Sequence, residues 1–396
     1  MTRKQLAALF FSSLIPWISA SMLFSLLPLH ARQLGADETV IGFYMASAFM
    51  ATTLGTIAAG WLASRLGRRK HLLIGAALLS IPAFALMTRA TDLLQLTLTT
   101  DLVWFLIGSE TALINILTGL FAGETVRGRT FGFIAITNSL AGLIGGLTGG
   151  RIVDAWGMPA LIALGAVYQV LLIPIASFLV DRPGPVKISL RRTTPALPGL
   201  GLSFTLLLLA NIVAWIALLF SALGRPLVMD NRGFDATAIS SVVAVTGLLG
   251  LPTPFVLGWL SDRFGRKPVI IFGYCVGALG LVLLSQATAF WHFWFSAYVG
   301  SGIRASGTTV GSAYITDLVP PEALDTALAR YNASNWIGSF IGLSGAGVIM
   351  QTIGMTPTFL LGAFFPLIAV GLLIPVRGAR RRPTVDPVLP LGSPPL

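Results

Sequence analysis

Apolar residues dominate the chain in runs of about twenty, separated by short charged or Pro/Gly-containing breaks. A helix that crosses a bilayer needs about twenty mostly apolar residues. Twelve runs reach that length, at approximately 7–29, 39–63, 71–89, 97–122, 130–150, 159–180, 202–223, 236–260, 268–286, 292–316, 328–351 and 357–376. The pattern predicts an all-α membrane protein with twelve transmembrane helices. One break is long: 181–201 holds Pro183, Pro185, Pro195 and Pro198 with Arg182, Lys187, Arg191 and Arg192. It divides the chain into an N-terminal six-helix bundle (1–180), a central cytoplasmic loop (181–201) and a C-terminal six-helix bundle (202–377). The basic, then proline-rich, tail at 378–396 is expected to be a disordered cytoplasmic segment.

Composition closes off other classes. Of 396 residues, 55% are hydrophobic and only 10% are charged, where soluble domains carry roughly 25%. So few charges cannot wet the surface of a soluble enzyme. The net charge of +11 gains its meaning from placement. With the N-terminus in the cytoplasm, twenty basic residues fall on the cytoplasmic side and five outside. That bias predicts an even number of spans in the cell membrane, with both termini cytoplasmic. The basic excess is thus an orientation signal, and no nucleic-acid partner is expected. Basic Arg3 and Lys4 followed by an apolar run of span length predict a retained signal-anchor helix. A single cysteine, Cys275, and scattered His30, His71 and His292 offer no disulfide framework and no metal site. No nucleophile or phosphate-binding motif is complete, so neither enzymatic activity nor a cofactor is expected.

The chain repeats itself. Residues 28–75 align without a gap on 226–273, an offset of 198, half the length. The fourteen identities include Pro28/Pro226, Gly35/Gly233, Asp37/Asp235, Gly60/Gly258, Trp61/Trp259, Arg65/Arg263, Gly67/Gly265 and Arg68/Arg266. Both copies run from outside, down a helix, into a basic cytoplasmic turn, so the halves are parallel repeats about an axis along the membrane normal. That arrangement occurs in secondary transporters. The turn from Gly60 to Lys70 resembles the signature between helices 2 and 3 of the major facilitator superfamily, and the copy from Gly258 to Lys267 resembles it more closely. The resemblance implies the superfamily fold: two pseudo-symmetric six-helix bundles around a central cavity, alternating between inward-open and outward-open states. The predicted cytoplasmic gate is Gly60, Ser64, Arg65, Gly67 and Arg68 with Gly258, Asp262, Arg263, Gly265 and Arg266. Gly60 and Gly258 are expected to permit close helix approach, and Gly67 and Gly265 the tight turn. Asp262 matches the family's acidic gate residue. Ser64 replaces it in the first half, where its hydroxyl is expected to cap a helix.

Ionisable residues inside spans mark function or pairing. Glu110 lies fourteen residues before Glu124, roughly 21 Å at 1.5 Å per residue, and is the chosen proton or substrate site. Arg304 in the tenth span is expected to face the cavity from the other bundle, where it pairs with Glu110 in a static bridge or binds an anionic group bidentately. Asp101, nine residues before Glu110, falls on the opposite helix face near the outer interface. Cavity candidates are Trp17 and Ser21 (first span), Asn115 (fourth), Asn138 (fifth), Asn211 and Trp215 (seventh), and Asn335 and Trp336 (eleventh). Two departures from the family pattern bear on coupling. The first span has no mid-span acid, and the fourth carries Trp104 or its neighbours where many members have arginine. The fifth span, Gly142 to Gly150, resembles the family's antiporter signature with Gly146 in place of its proline. A small-residue face for helix packing explains the same glycines.

These features predict a secondary active transporter that moves a small amphipathic molecule by alternating access, as proton-coupled efflux. The expected partners are that molecule, protons and membrane lipids, with the protein a monomer. The alternatives are a symporter or uniporter for a polar or anionic metabolite, and a non-transporting membrane receptor.

Overall fold

The computed structural model describes residues 2–121, 127–181, 201–319 and 323–376, without the side chains of 127–129 and 325. The central loop from 182, the tail from 377 and Glu124 lie outside the described residues. The N-terminal half contains α1 (Arg3–Phe24), α2 (Leu27–Gln33), α3 (Glu38–Leu66), α4 (Arg69–Thr88), α5 (Leu93–Phe121) and α6 (Arg127–Ser177). The C-terminal half contains α7 (Gly201–Asn231), α8 (Ala236–Gly250), α9 (Thr253–Phe264), α10 (Arg266–Ser285), α11 (Phe290–Gly300) and α12 (Gly302–Ala305). It continues through a π-helical segment (Ser306–Gly311) into α13 (Ser312–Leu318), α14 (Leu324–Ile353) and α15 (Met355–Leu373).

Among the described residues the fold is helical throughout, as lipid requires: a helix satisfies its own backbone hydrogen bonds where no water can. Among the described residues nine helices are long and apolar enough to cross a membrane, or ten when α8 and α9, bent by 44°, are joined, against the twelve expected. The difference lies in α6, which is interrupted at Gly157, and in 290–318, which is divided by its π segment. Gly157 has φ 79° and ψ 173°, a left-handed conformation that side chains resist, and Pro159 follows it. The chain reverses there without a loop.

Repeat-related residues do the same work in each half. Asp37 caps α3 by accepting from the Val40 amide at 2.8 Å, and Asp235 caps α8 by accepting from the Ala238 amide at 2.7 Å. Gly67 (φ 63°) and Gly265 (φ 95°) end α3 and α9 at the basic turns. Lys70 Nζ donates to the Ser177 carbonyl, and Lys267 Nζ donates to the Ile374 carbonyl at 2.7 Å. Both lysines thereby tie the basic turn to the end of their half's last helix.

The halves meet along two extensive helix pairs, α3 with α14 and α6 with α8, and where the short α2 touches α7. Lipid offers no hydrophobic drive for helix association, so small residues that let backbones approach do this work. A Cβ at Gly146 would sit 2.2 Å from the Ala244 nitrogen, one at Gly150 2.1 Å from the Ala236 carbonyl, and one at Gly42 2.7 Å from the Leu343 carbonyl. The glycines of α6 thus form a packing face: Gly142, Gly146 and Gly150 meet α8, while Gly145 and Gly149 meet Met22 of α1.

Candidate functional site

The end of the molecule opposite the basic turns is bound shut across the halves. Arg32 after α1 donates to Asp230 Oδ2 at 3.0 Å and to Asn231 Oδ1 at 2.7 Å, and also to Glu38 at 2.9 Å. Arg32 and Asp230 are separated by 198 residues, so these repeat mates meet each other at the axis that relates the halves. On one flank Asp154 of α6 accepts from the Ala236 amide (3.1 Å), the Thr237 amide (2.8 Å) and the Thr237 hydroxyl (2.5 Å), capping α8 of the other half. On the other flank Gln351 of α14 accepts from the Glu38 amide at 3.2 Å, capping α3.

The basic end is built differently. Its ion pairs among the described residues join groups of the same half. Arg69 is 1% exposed, donates to the Gly67 carbonyl and stands 3.9 Å from Asp181, which also accepts from the Lys70 amide. Arg266 pairs with Asp262 at 2.6 Å and with Asp317 at 3.2 Å. Arg65 lies 4.5 Å over the Trp61 ring and Arg263 5.7 Å over Trp259, while Arg68 is exposed. Two expectations are corrected here. Gly60 and Gly258 have open space where a Cβ would stand, so neither marks a close helix approach in this state. The Ser64 hydroxyl donates to the Trp61 carbonyl at 2.7 Å inside its own helix, so it caps nothing. Asp181, beyond the turn, supplies the first-half acid that Ser64 lacks.

Between the two ends, aromatic rings from both halves converge. Phe49 of α3 lies 6.3 Å from Trp104, 5.7 Å from Phe24 and 5.9 Å from Trp336 of α14. Trp17 packs beside Trp104, and the Ser21 hydroxyl donates to the Trp17 carbonyl at 2.6 Å. Beside this cluster a polar network links α7, the π segment and α14. Asn211 Nδ2 donates to Ser334 (2.7 Å) and Asn335 (2.6 Å), while the Tyr331 hydroxyl lies 3.1 Å from Asn211 Oδ1 and 2.8 Å from the Gly307 carbonyl. Gly307 makes room: a Cβ there would meet Asn211 Oδ1 at 2.9 Å, with Trp215 Nε1 and the Tyr274 hydroxyl within 4 Å. Trp215 Nε1, the Tyr274 hydroxyl and the Ser306 hydroxyl are buried without a hydrogen-bond partner. Unsatisfied polar atoms around a π segment are a common mark of a working site. Asn211, Trp215, Asn335 and Trp336 are therefore brought together. Asn115 and Asn138 are exposed on α5 and α6. Tyr274, Tyr331, Ser334 and exposed Asn332 escaped the sequence analysis, since tyrosine and serine in apolar spans do not stand out.

The charged candidates separate. Glu110 is fully buried in the N-terminal half, accepting from Ser80 of α4 at 3.0 Å and from Gln169 of α6 at 3.2 Å. The bridge to Arg304 is absent because Glu110 points toward α4 and α6. Asp101 accepts from Ser47 at 2.9 Å on another face of α5, in a groove of about 590 Å³ lined by Met50, Leu54, Leu102, Phe105 and Phe340 among others. Arg304 lies in α12 with its side chain exposed. Arg225, expected outside the seventh span, lies inside α7 because that helix runs on to Asn231.

Two helical bundles, sealed at one end across a seam of small residues and joined by an aromatic and polar centre, define a membrane transporter. The chain belongs to the Major Facilitator Superfamily, whose family model matches residues 9–225 and 204–391. It is 29% identical over 254 residues to the class C tetracycline resistance protein of Escherichia coli, covering 59% of this chain and 60% of that one. It is 27% identical over 337 residues to multidrug resistance protein MdtG of Citrobacter koseri, covering 81% and 78%. In fold it matches a mutant of the nucleoside transporter NupG with a TM-score of 0.80 at 15% identity, covering 93% of this chain and 98% of that one.

Proposed function

We propose that this protein exports a small amphipathic molecule across the cell membrane in exchange for protons, by alternating access. The observation that carries the proposal is the centre itself: Phe49 and Trp104 of one half face Trp336 of the other, beside the Asn211–Tyr331–Asn335 network. A site made by both halves feels every rocking motion, which couples binding to conformation. The charge bias supports a cytoplasmic basic end, which puts the end bound by Arg32, Asp154 and Gln351 on the outside. Relatives named for drug and tetracycline resistance support the direction.

Glu110 is the proposed proton carrier. It is a carboxylate removed from water, held by two neutral donors and by no cation among the described residues. Ser80 and Gln169 lie on α4 and α6, so gain or loss of a proton at Glu110 alters packing within the N-terminal half. The test is uptake of a fluorescent amphiphile into proteoliposomes under an imposed pH gradient. The gradient is expected to drive uptake, and Glu110→Gln is expected to remove that response while sparing binding. A gradient without effect on the wild type would refute proton coupling, and an undiminished response in Glu110→Gln would refute Glu110 as the carrier.

A further inference from the structure

The centre of the molecule is electrostatically lopsided. Both mid-span acids belong to the N-terminal half: Glu110 is turned toward α4 and α6, and Asp101 is held by Ser47 in the groove that Phe340 of the other half also lines. Arg304 of the C-terminal half remains. Its backbone carbonyl accepts from Thr308 at 2.8 Å, but its guanidinium has no hydrogen bond or ion pair among the described residues. It lies fourteen residues into the pass that begins at Phe290, about 21 Å along the helix, far from either headgroup layer. A charge at that depth costs free energy unless something compensates it. Gly307 and Gly311, three and seven residues further on, face Asn211 and Tyr331. Arg304 stands in α12, directly before the π segment that carries this network.

We propose that the transported molecule carries an oxyanion group, a carboxylate, sulfonate or phosphate, that binds Arg304 while its apolar body lies against Trp336 and Phe49. This deepens the export proposal by naming its substrate class, and it rests on that proposal. A guanidinium presents a planar fork of donors that matches an oxyanion bidentately. Trp215 Nε1 and the Tyr274 hydroxyl, both unpartnered beside Gly307, supply further donors on the same side. Among the described residues the C-terminal side of the centre thus offers several donors to an anion and no mid-span carboxylate.

Two probes of similar size separate the charge from the apolar body: anilinonaphthalene sulfonate and neutral phenylnaphthylamine, each titrated into purified full-length protein in detergent. Arg304→Gln is expected to weaken sulfonate binding about tenfold or more, with less than a twofold change for the neutral probe. Arg304→Lys should fall between, because an ammonium keeps charge but loses the fork. Equal losses for both probes, or no loss for either, would overturn the proposal, as would tighter binding of tetraphenylphosphonium than of the sulfonate. If Arg304→Gln fails to fold, the same comparison in Arg304→Lys decides. Proteoliposome flux is scored separately. A sulfonate-selective loss without flux of either probe defeats export and leaves the anion site standing, and flux without a selective loss does the reverse.

Discussion

Asn211 shows how one side chain organises the centre. In a span otherwise rich in leucine and alanine, its amide meets Ser334, Asn335 and Tyr331 at once. Removing it leaves buried partners unsatisfied, at about 1–3 kcal/mol for a buried polar group. Asn211→Ala is therefore expected to lower the thermal unfolding midpoint in detergent, and by more than Asn138→Ala, whose side chain is exposed. Asn211, Trp215, Asn335 and Trp336 were legible because amides and indoles are conspicuous in apolar helices. Tyr331 and Asn332 were not, since nothing local tells a cavity-facing polar residue from one at a helix end. The direction of Glu110 was legible only relative to Asp101. Nine residues of helix place the two on different faces, but which neighbours those faces meet depends on α3, α4 and α6.

At the scale of elements, the seam rests on glycines whose neighbours are backbone atoms. Backbone cannot swing aside, so Gly146→Leu in α6 must push α8 away. That variant is expected to hold the halves apart at the sealed end, seen as greater labelling of introduced cysteines there. Gly60 and Gly258 respond the other way. With open space at each position in this state, Gly60→Ala gains about 0.5–1 kcal/mol of helix stability. Thermal unfolding of the protein held in this state should show a small rise. The turn signature itself was legible from its spacing, and its glycines do end α3 and α9. Its contacts were not, because Asp181 stands more than a hundred residues from Arg69 and joins it only through the packing of α6 on α4.

At the scale of the molecule, the sealed end adds charge and helix caps to the apolar packing of the two halves. Asp154 satisfies the free amides at the start of α8 and lies at the positive end of that helix dipole. Gln351 performs the matching task for α3 with a neutral side chain and one bond. The two flanks are therefore unequal, and the Asp154 flank is the stronger. Asp154→Ala with Arg32→Ala is expected to populate the state open at that end. In a Cys275→Ser background, spin labels at positions 33 and 232 should show a longer distance in the double variant than in the parent. An unchanged distribution would mean that glycine packing alone holds the seam.

Hydropathy along the chain determined the helical class, the membrane as solvent and the division into halves, because partition into lipid depends on composition alone. The offset of 198 determined more than a duplication: Arg32 and Asp230 occupy equivalent places, and equivalent places close to a twofold axis lie close to each other. Tertiary structure decided which end is shut, that Glu110 is buried within one half, and that Glu110 is held by Ser80 and Gln169 and not by Arg304. In a bilayer almost every face of every helix is apolar. The period of the sequence cannot distinguish a face toward lipid, a neighbouring helix or a cavity, and only the packing of one half against the other makes that assignment.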